Sequence, residues 1–248
     1  VQGESLAKAP PDGYTLSVAG GNVWITPLLQ KTPYDPLKDL APITWAERSP
    51  YLLVVHPSLP VKSVKDLIAL AKARPGELNF SSTGLGASSH LSGELLRSMA
   101  GINIVHIPYS GTGRAIIALV SGEVQLQFSS AASVNPHVKS GKLKPLAVTS
   151  AEPSALAPGM PTVSATGLPG YESIGITAVF APVRTPTAII NRLNQEMVRF
   201  LKTPEAKEKF LTVGVEPVGS TPAELTLALE ADIGRNAKVI KERGLRLD

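Results

Sequence analysis

Apolar positions in this chain alternate between short continuous runs and stripes with helical spacing, the pattern of buried strands separated by amphipathic helices. The run 14–18 predicts a strand ending at Ala19-Gly20-Gly21-Asn22. Trp24, Ile25, Leu28 and Leu29 then share one helical face. The run 51–55, closed by His56-Pro57, predicts a second strand. Ser63 stands as N-cap to a helix over 64–74, where Val64, Leu67, Ile68 and Ala71 make the apolar stripe and Pro75-Gly76 stops it. A strand over 78–81, a polar turn and a helix to about Met99 follow. The rhythm then repeats with strands at 104–107, 124–128 and 145–149, and helices at 114–121 and 136–140.

After Val163 the texture changes. A strand over 174–181 has no helix directly before it. Helices over 186–201, 204–213 and 222–243 then close the chain, each opened by Thr-Pro, a capping hydroxyl followed by a first-turn proline. This order predicts an α/β fold with parallel sheets covered on both faces. Two lobes are expected, one from residues 1–55 and 178–248 and the other from 56–177, with the strands near 51–55 and 176–181 carrying the chain out and back.

Composition changes this picture in few places. The charged fraction of 18% is low, and the net charge of +4 contains no block of like charges, so no nucleic-acid partner is expected. Without cysteine there are no disulfides and no thiolate chemistry. No apolar run approaches the length of a bilayer span. The sequence has no basic, apolar leader before Val1, so any export signal is expected outside it.

The chemistry concentrates in one stretch. Residues 79–96, NFSSTGLGASSHLSGELL, place six Ser/Thr and three Gly around a helix start, with no cation before Arg97. In open α/β sheets ligands sit beyond the carboxyl ends of strands. Three turns have that position here: 19–22, 82–89 and 109–113. Free amides and the positive end of each helix favour an anion there without a lysine. Taken singly, each turn reads more readily as ordinary capping; three of them in one chain favour a shared site.

Other chemistries find less support. Gly84, Gly86 and Ser89 fall one glycine short of a dinucleotide fingerprint, and neither a phosphate-binding loop nor a nucleophile elbow occurs. His90, one turn into a helix, reads as a packed or capping side chain, and His56, His106 and His137 pair with no acid, so no metal site is expected. Asp35, Asp39, Glu94 and Glu123 stand singly. Trp24 reads as core. Arg114 is open to either reading, a bidentate partner for a carboxylate or a solvated side chain.

Eight segments together resemble the substrate-binding proteins of tripartite tricarboxylate transporters, the Bug family of periplasmic receptors. They are 9–16 (APPDGYTL), 33–43 (PYDPLKDLAPI), 56–67 (HPSLPVKSVKDL), the polar turn, 105–111 (VHIPYSG), 141–149 (GKLKPLAVT), 167–171 (GLPGY) and 216–222 (EPVGSTP). The resemblance implies a two-lobed periplasmic-binding fold of type II character that closes about a hinge over a small carboxylate and delivers it to membrane transporter subunits. A monomer without catalytic residues, cofactor or metal is expected. By position, the implied ligand contacts are Ala19, Gly20, Gly21 and Asn22 in the first lobe. In the second they are Ser82, Thr83, Gly84, Ala87, Ser88, Tyr109, Gly111, Thr112 and Ser129.

Two departures carry expectations of their own. Relatives normally have a strand and a Pro/Gly-rich loop ahead of the position of Val1, so the chain is expected to be a shortened form. Ser129 stands where relatives often carry Asp, which favours a plain carboxylate over an amino acid. The competing reading is an enzyme acting on a small organic acid with His90 or His106 as general base.

Overall fold

The computed structural model describes residues 2–246. In chain order the elements are α1 (Gln2–Ala7), β1 (Ser17–Ala19), α2 (Asn22–Leu29), β2 (Leu40–Val55), α3 (Val64–Ala73), β3 (Asn79–Ser82), α4 (Ser88–Ala100), β4 (Val105–Pro108), α5 (Thr112–Val120), β5 (Leu126–Ser130), α6 (Ala131–Lys139), β6 (Lys144–Val148), α7 (Val163–Thr166), β7 (Ile174–Pro182), α8 (Thr187–Leu201), α9 (Pro204–Thr212), β8 (Glu216–Pro217) and α10 (Pro222–Arg243). They fall into two compact units. The first holds the chain up to Ser49 and again from Gly175; the second holds Pro50–Ile174.

In the second unit the sheet order is β6, β2, β5, β3, β4. β3 runs parallel to β4 and β5, as expected of strands joined by helices. β2 does not: it is antiparallel to both β5 and β6, with Tyr51 opposite Ser130 and Leu53 opposite Phe128. The expectation of parallel sheets throughout is therefore corrected, because β2 enters this unit as a crossing strand with no helix to turn it. Alternation along β2 feeds two cores. Leu53 and Val55 face Val64, Leu67, Phe80, Leu96 and Phe128; Leu52 and Val54 face Ile116, Leu119 and Val134. Helices α3 and α4 thus cover one face, and α5 and α6 the other.

In the first unit β1 pairs antiparallel with β7, Val18 opposite Val179, and β8 pairs with Glu47 and Arg48 of β2. Arg48 Nε donates to Glu216 Oε2 at 2.6 Å along that edge. Trp24 is buried, as expected, and its Nε1 donates to Asp232 Oδ2 at 2.8 Å, tying α2 to α10.

Some local expectations shift. The strand expected over 14–18 shrinks to Ser17–Ala19, because the Tyr14 amide donates to Asp12 Oδ1 and locks residues 12–14 in a turn. The first part of β2 escapes the pattern because Pro42, Pro50 and the charged Glu47-Arg48 pair mask its alternation. Ser63 caps α3 as expected, accepting from the Asp66 amide. Thr203 and Thr221 cap α9 and α10 likewise, and the latter forms a full capping box with Glu224. The third Thr-Pro differs. α8 takes Pro186 as its N-cap, and Thr185 Oγ1 is buried without a partner.

Candidate functional site

The polar turn after β3 is shaped by its glycines and two histidines. Gly84 and Gly86 adopt φ of 139° and 74°, open to glycine and strained for other residues. Ser82 Oγ donates to the Gly84 carbonyl at 3.0 Å and accepts from the Gly84 amide at 3.1 Å. The Gly86 amide donates to His90 Nδ1 at 3.0 Å. Ser89 Oγ accepts from the Thr83 amide at 3.1 Å, closing the turn onto the first residues of α4. His90 is therefore packed against its own turn, one of the two roles its position predicted, and is 1% exposed.

Beyond this turn lies a cavity of about 350 Å³, lined by Tyr51, Thr83, Ala87, Ser88, Ser89, Thr112, Phe128, Ser129 and Ser130. All of these belong to the second unit. The cavity sits at the carboxyl ends of β3 and β5, where α4 and α5 begin. Their N-cap residues are Ala87 and Gly111, and neither helix start is capped by a side chain, so first-turn amides remain for a ligand. No lining residue carries a formal charge. Six of the nine are Ser or Thr. The positive field comes from two helix starts, each worth roughly half a charge. Burial holds the Tyr51 phenol above its ordinary range, while its hydrogen bond with Ser88 works in the other direction.

Of the residues named from sequence, Thr83, Ala87, Ser88, Thr112 and Ser129 line this cavity. Ser82, Gly84, Tyr109 and Gly111 do not. Ser82 turns to His106, its Oγ lying 2.6 Å from Nε2. Tyr109 donates its hydroxyl to Glu123 at 2.7 Å; burial and that carboxylate together push its phenol up to about 12. Gly111 supplies backbone, with φ of 101° at the cap of α5. Ala19, Gly20, Gly21 and Asn22 lie in the first unit, where the Gly20 and Gly21 carbonyls accept from the amides of Val23 and Trp24 at the start of α2. Arg114 is exposed and donates to Ser110 Oγ at 2.8 Å.

Sequence reasoning missed Tyr51, Ser89, Phe128 and Ser130. Ser89 lay within the polar turn, and Phe128 and Ser130 close a strand, so the carboxyl-end rule reaches all three. Tyr51 begins its run, and a parallel sheet would set it at the opposite edge; the antiparallel course of β2 brings it beside Ser130. The acids also read differently in three dimensions. Glu94, which stood single in the sequence, is buried, with Arg97 donating to Oε1 at 2.6 Å and His90 Nε2 at 3.7 Å from the same oxygen. Burial pushes Glu94 up, yet His90 and Arg97 outweigh it and its pKa is lowered.

Residues 1–245 match the profile of the tripartite tricarboxylate transporter family receptor. The chain belongs to this family. BugT of Bordetella pertussis is 34% identical to this receptor over 247 residues, covering 98% of this chain and 76% of BugT. Among solved structures, Rpa4515 of R. palustris with adipate has 37% identity and a TM-score of 0.79, covering 98% of this chain and 82% of that one. MatC of Rhodopseudomonas palustris with bound malate has 28% identity and a TM-score of 0.73, covering 95% and 82%. The resemblance read from the eight segments and the two-lobed α/β fold it implied are thus borne out. The family is one of solute-binding receptors rather than enzymes.

Proposed function

We propose that this receptor is a periplasmic protein that captures a small dicarboxylate and presents it to the membrane subunits of a tripartite tricarboxylate-type transporter, without catalysis of its own. The observation that carries the reading is the uncharged, hydroxyl-lined cavity at the starts of α4 and α5. Such a site suits an anion whose charge is met by amides and helix ends. Relatives captured with adipate and malate support the ligand class. Thr83, Ala87, Ser88, Thr112 and Ser129 are the proposed contacts, with Tyr51 and Phe128 against the carbon chain. A micromolar complex needs about −8 kcal/mol, and several hydrogen bonds to a carboxylate at roughly 1.5–3 kcal/mol each, less ordering costs, reach it.

With no acid on the cavity wall, an ammonium group has no partner, so a plain acid is favoured over an amino acid. Neither His90 nor His106 lines the cavity, which leaves the general-base reading without support. The test is a melting-temperature and calorimetry screen against adipate, malate, citrate and benzoate, with product analysis by NMR. The expected result is a raised Tm and micromolar binding for at least one dicarboxylate, with the acid recovered unchanged. Turnover of any acid, or no response to all four, overturns the proposal.

A further inference from the structure

Beneath the binding turn, two histidines from different elements stack, His90 buried and His106 half-buried. The rings of His90 on α4 and His106 on β4 lie 3.8 Å apart at 25°, and Phe80 of β3 packs on His106 at 4.9 Å. Each imidazole is tied to the turn above it, His90 Nδ1 by the Gly86 amide and His106 Nε2 by Ser82 Oγ. Gly93 makes room for this arrangement, since a methyl group there would run into the Phe80 ring.

We propose that His90 is a positioning residue which holds the 82–89 turn in its binding form only while Nδ1 is free to accept the Gly86 amide, so that acid releases the turn and with it the bound carboxylate. The inference rests on the receptor reading above. A proton on Nδ1 would replace an acceptor by a donor facing another donor, and the turn's tie to α4 at Gly86 would be lost. Three strands pack against α4, namely β3, β4 and β5. His106 is the titratable side chain they carry, and two tyrosines also reach α4, Tyr171 donating to the Ser92 carbonyl and Tyr51 bonded to Ser88. On α4 itself the charged groups are Glu94 and Arg97, which are paired to each other, with Glu94 Oε1 also 3.7 Å from His90 Nε2. Burial, with His90 next to it, holds His106 down at about 4, so near neutral pH the His106 ring carries no charge.

The test compares wild type, His90→Asn and His90→Gln for adipate affinity from about pH 8 to about pH 5.5, alongside amide exchange of Gly86 without ligand. Asparagine sets a carbonyl oxygen near the place of Nδ1 and does not titrate; glutamine reaches toward Nε2 instead. The expected result is near-native affinity and a flatter pH profile for H90N, with about tenfold weaker binding for H90Q, the factor that one lost buried hydrogen bond carries. Comparison at equal pH cancels the titration of adipate itself. Gly86 protection, taken relative to the base-catalysed intrinsic exchange rate at each pH, should fall with acid in wild type and stay level in H90N. An H90N profile parallel to wild type in both readouts overturns the proposal, even if H90Q fails to fold. Should wild type bind no dicarboxylate, the receptor reading fails on its own, and Gly86 exchange still decides the role of His90.

Discussion

At the scale of single residues, the site shows how much depends on side chains being small and uncharged. Ser129 is buried at the end of β5 and lines the cavity. Placing a carboxylate there with Ser129→Asp sets it against the ligand's own, at short range and away from bulk water. Dicarboxylate affinity should fall by at least about tenfold in calorimetry, equivalent to about 1.4 kcal/mol; unchanged affinity would remove Ser129 from the site. Gly93 is the structural counterpart. Its missing side chain lets Phe80 lie against α4, so Gly93→Ala overpacks the core and should cost about 1–3 kcal/mol in urea unfolding, despite the better helix propensity of alanine.

Elements with the same local signature can begin differently. Thr203 and Thr221 accept from the amides of Ala206 and Glu224, and Glu224 Oε2 in turn accepts from the Thr221 amide at 2.8 Å. Thr221→Ala should therefore cost about 1 kcal/mol, seen as an earlier urea midpoint. Thr185 shares the Thr-Pro sequence but is 6% exposed, and its hydroxyl has no partner. Thr185→Val, which replaces that hydroxyl by a methyl group of similar size, should be neutral or stabilising by up to about 1 kcal/mol. A loss of stability in that variant would mean that α8 depends on this threonine after all. Helix α8 starts one residue later than the motif suggests because Pro186, with ψ of 136°, is its extended cap.

For the whole molecule, half-buried His106 and buried Glu94 both shape how stability varies with pH. His106 has a folded pKa of about 4 against its ordinary 6.5, so between these values the unfolded chain binds more protons. Stability from this group is complete above 6.5, erodes as pH falls through that window, and loses nothing more below about 4. Glu94, whose pKa is lowered, adds its own loss below its ordinary 4.5. Urea midpoints across pH should show the decline starting near 6.5 in wild type and flattening over that window in His106→Asn; equal slopes would contradict the assignment. The sequence by itself determined the strand and helix rhythm, most caps, the polar turn and the family, since these rest on near-neighbour sterics, local hydrogen bonds and an ordered set of segments. Only the tertiary structure decided the antiparallel course of β2 that brings Tyr51 to the cavity, the turning of Tyr109 to Glu123, and the stacking of His90 on His106. Those depend on which distant segments meet and in which direction, and a pattern read along one chain carries no information about a partner strand's sense or a side chain's choice among remote neighbours.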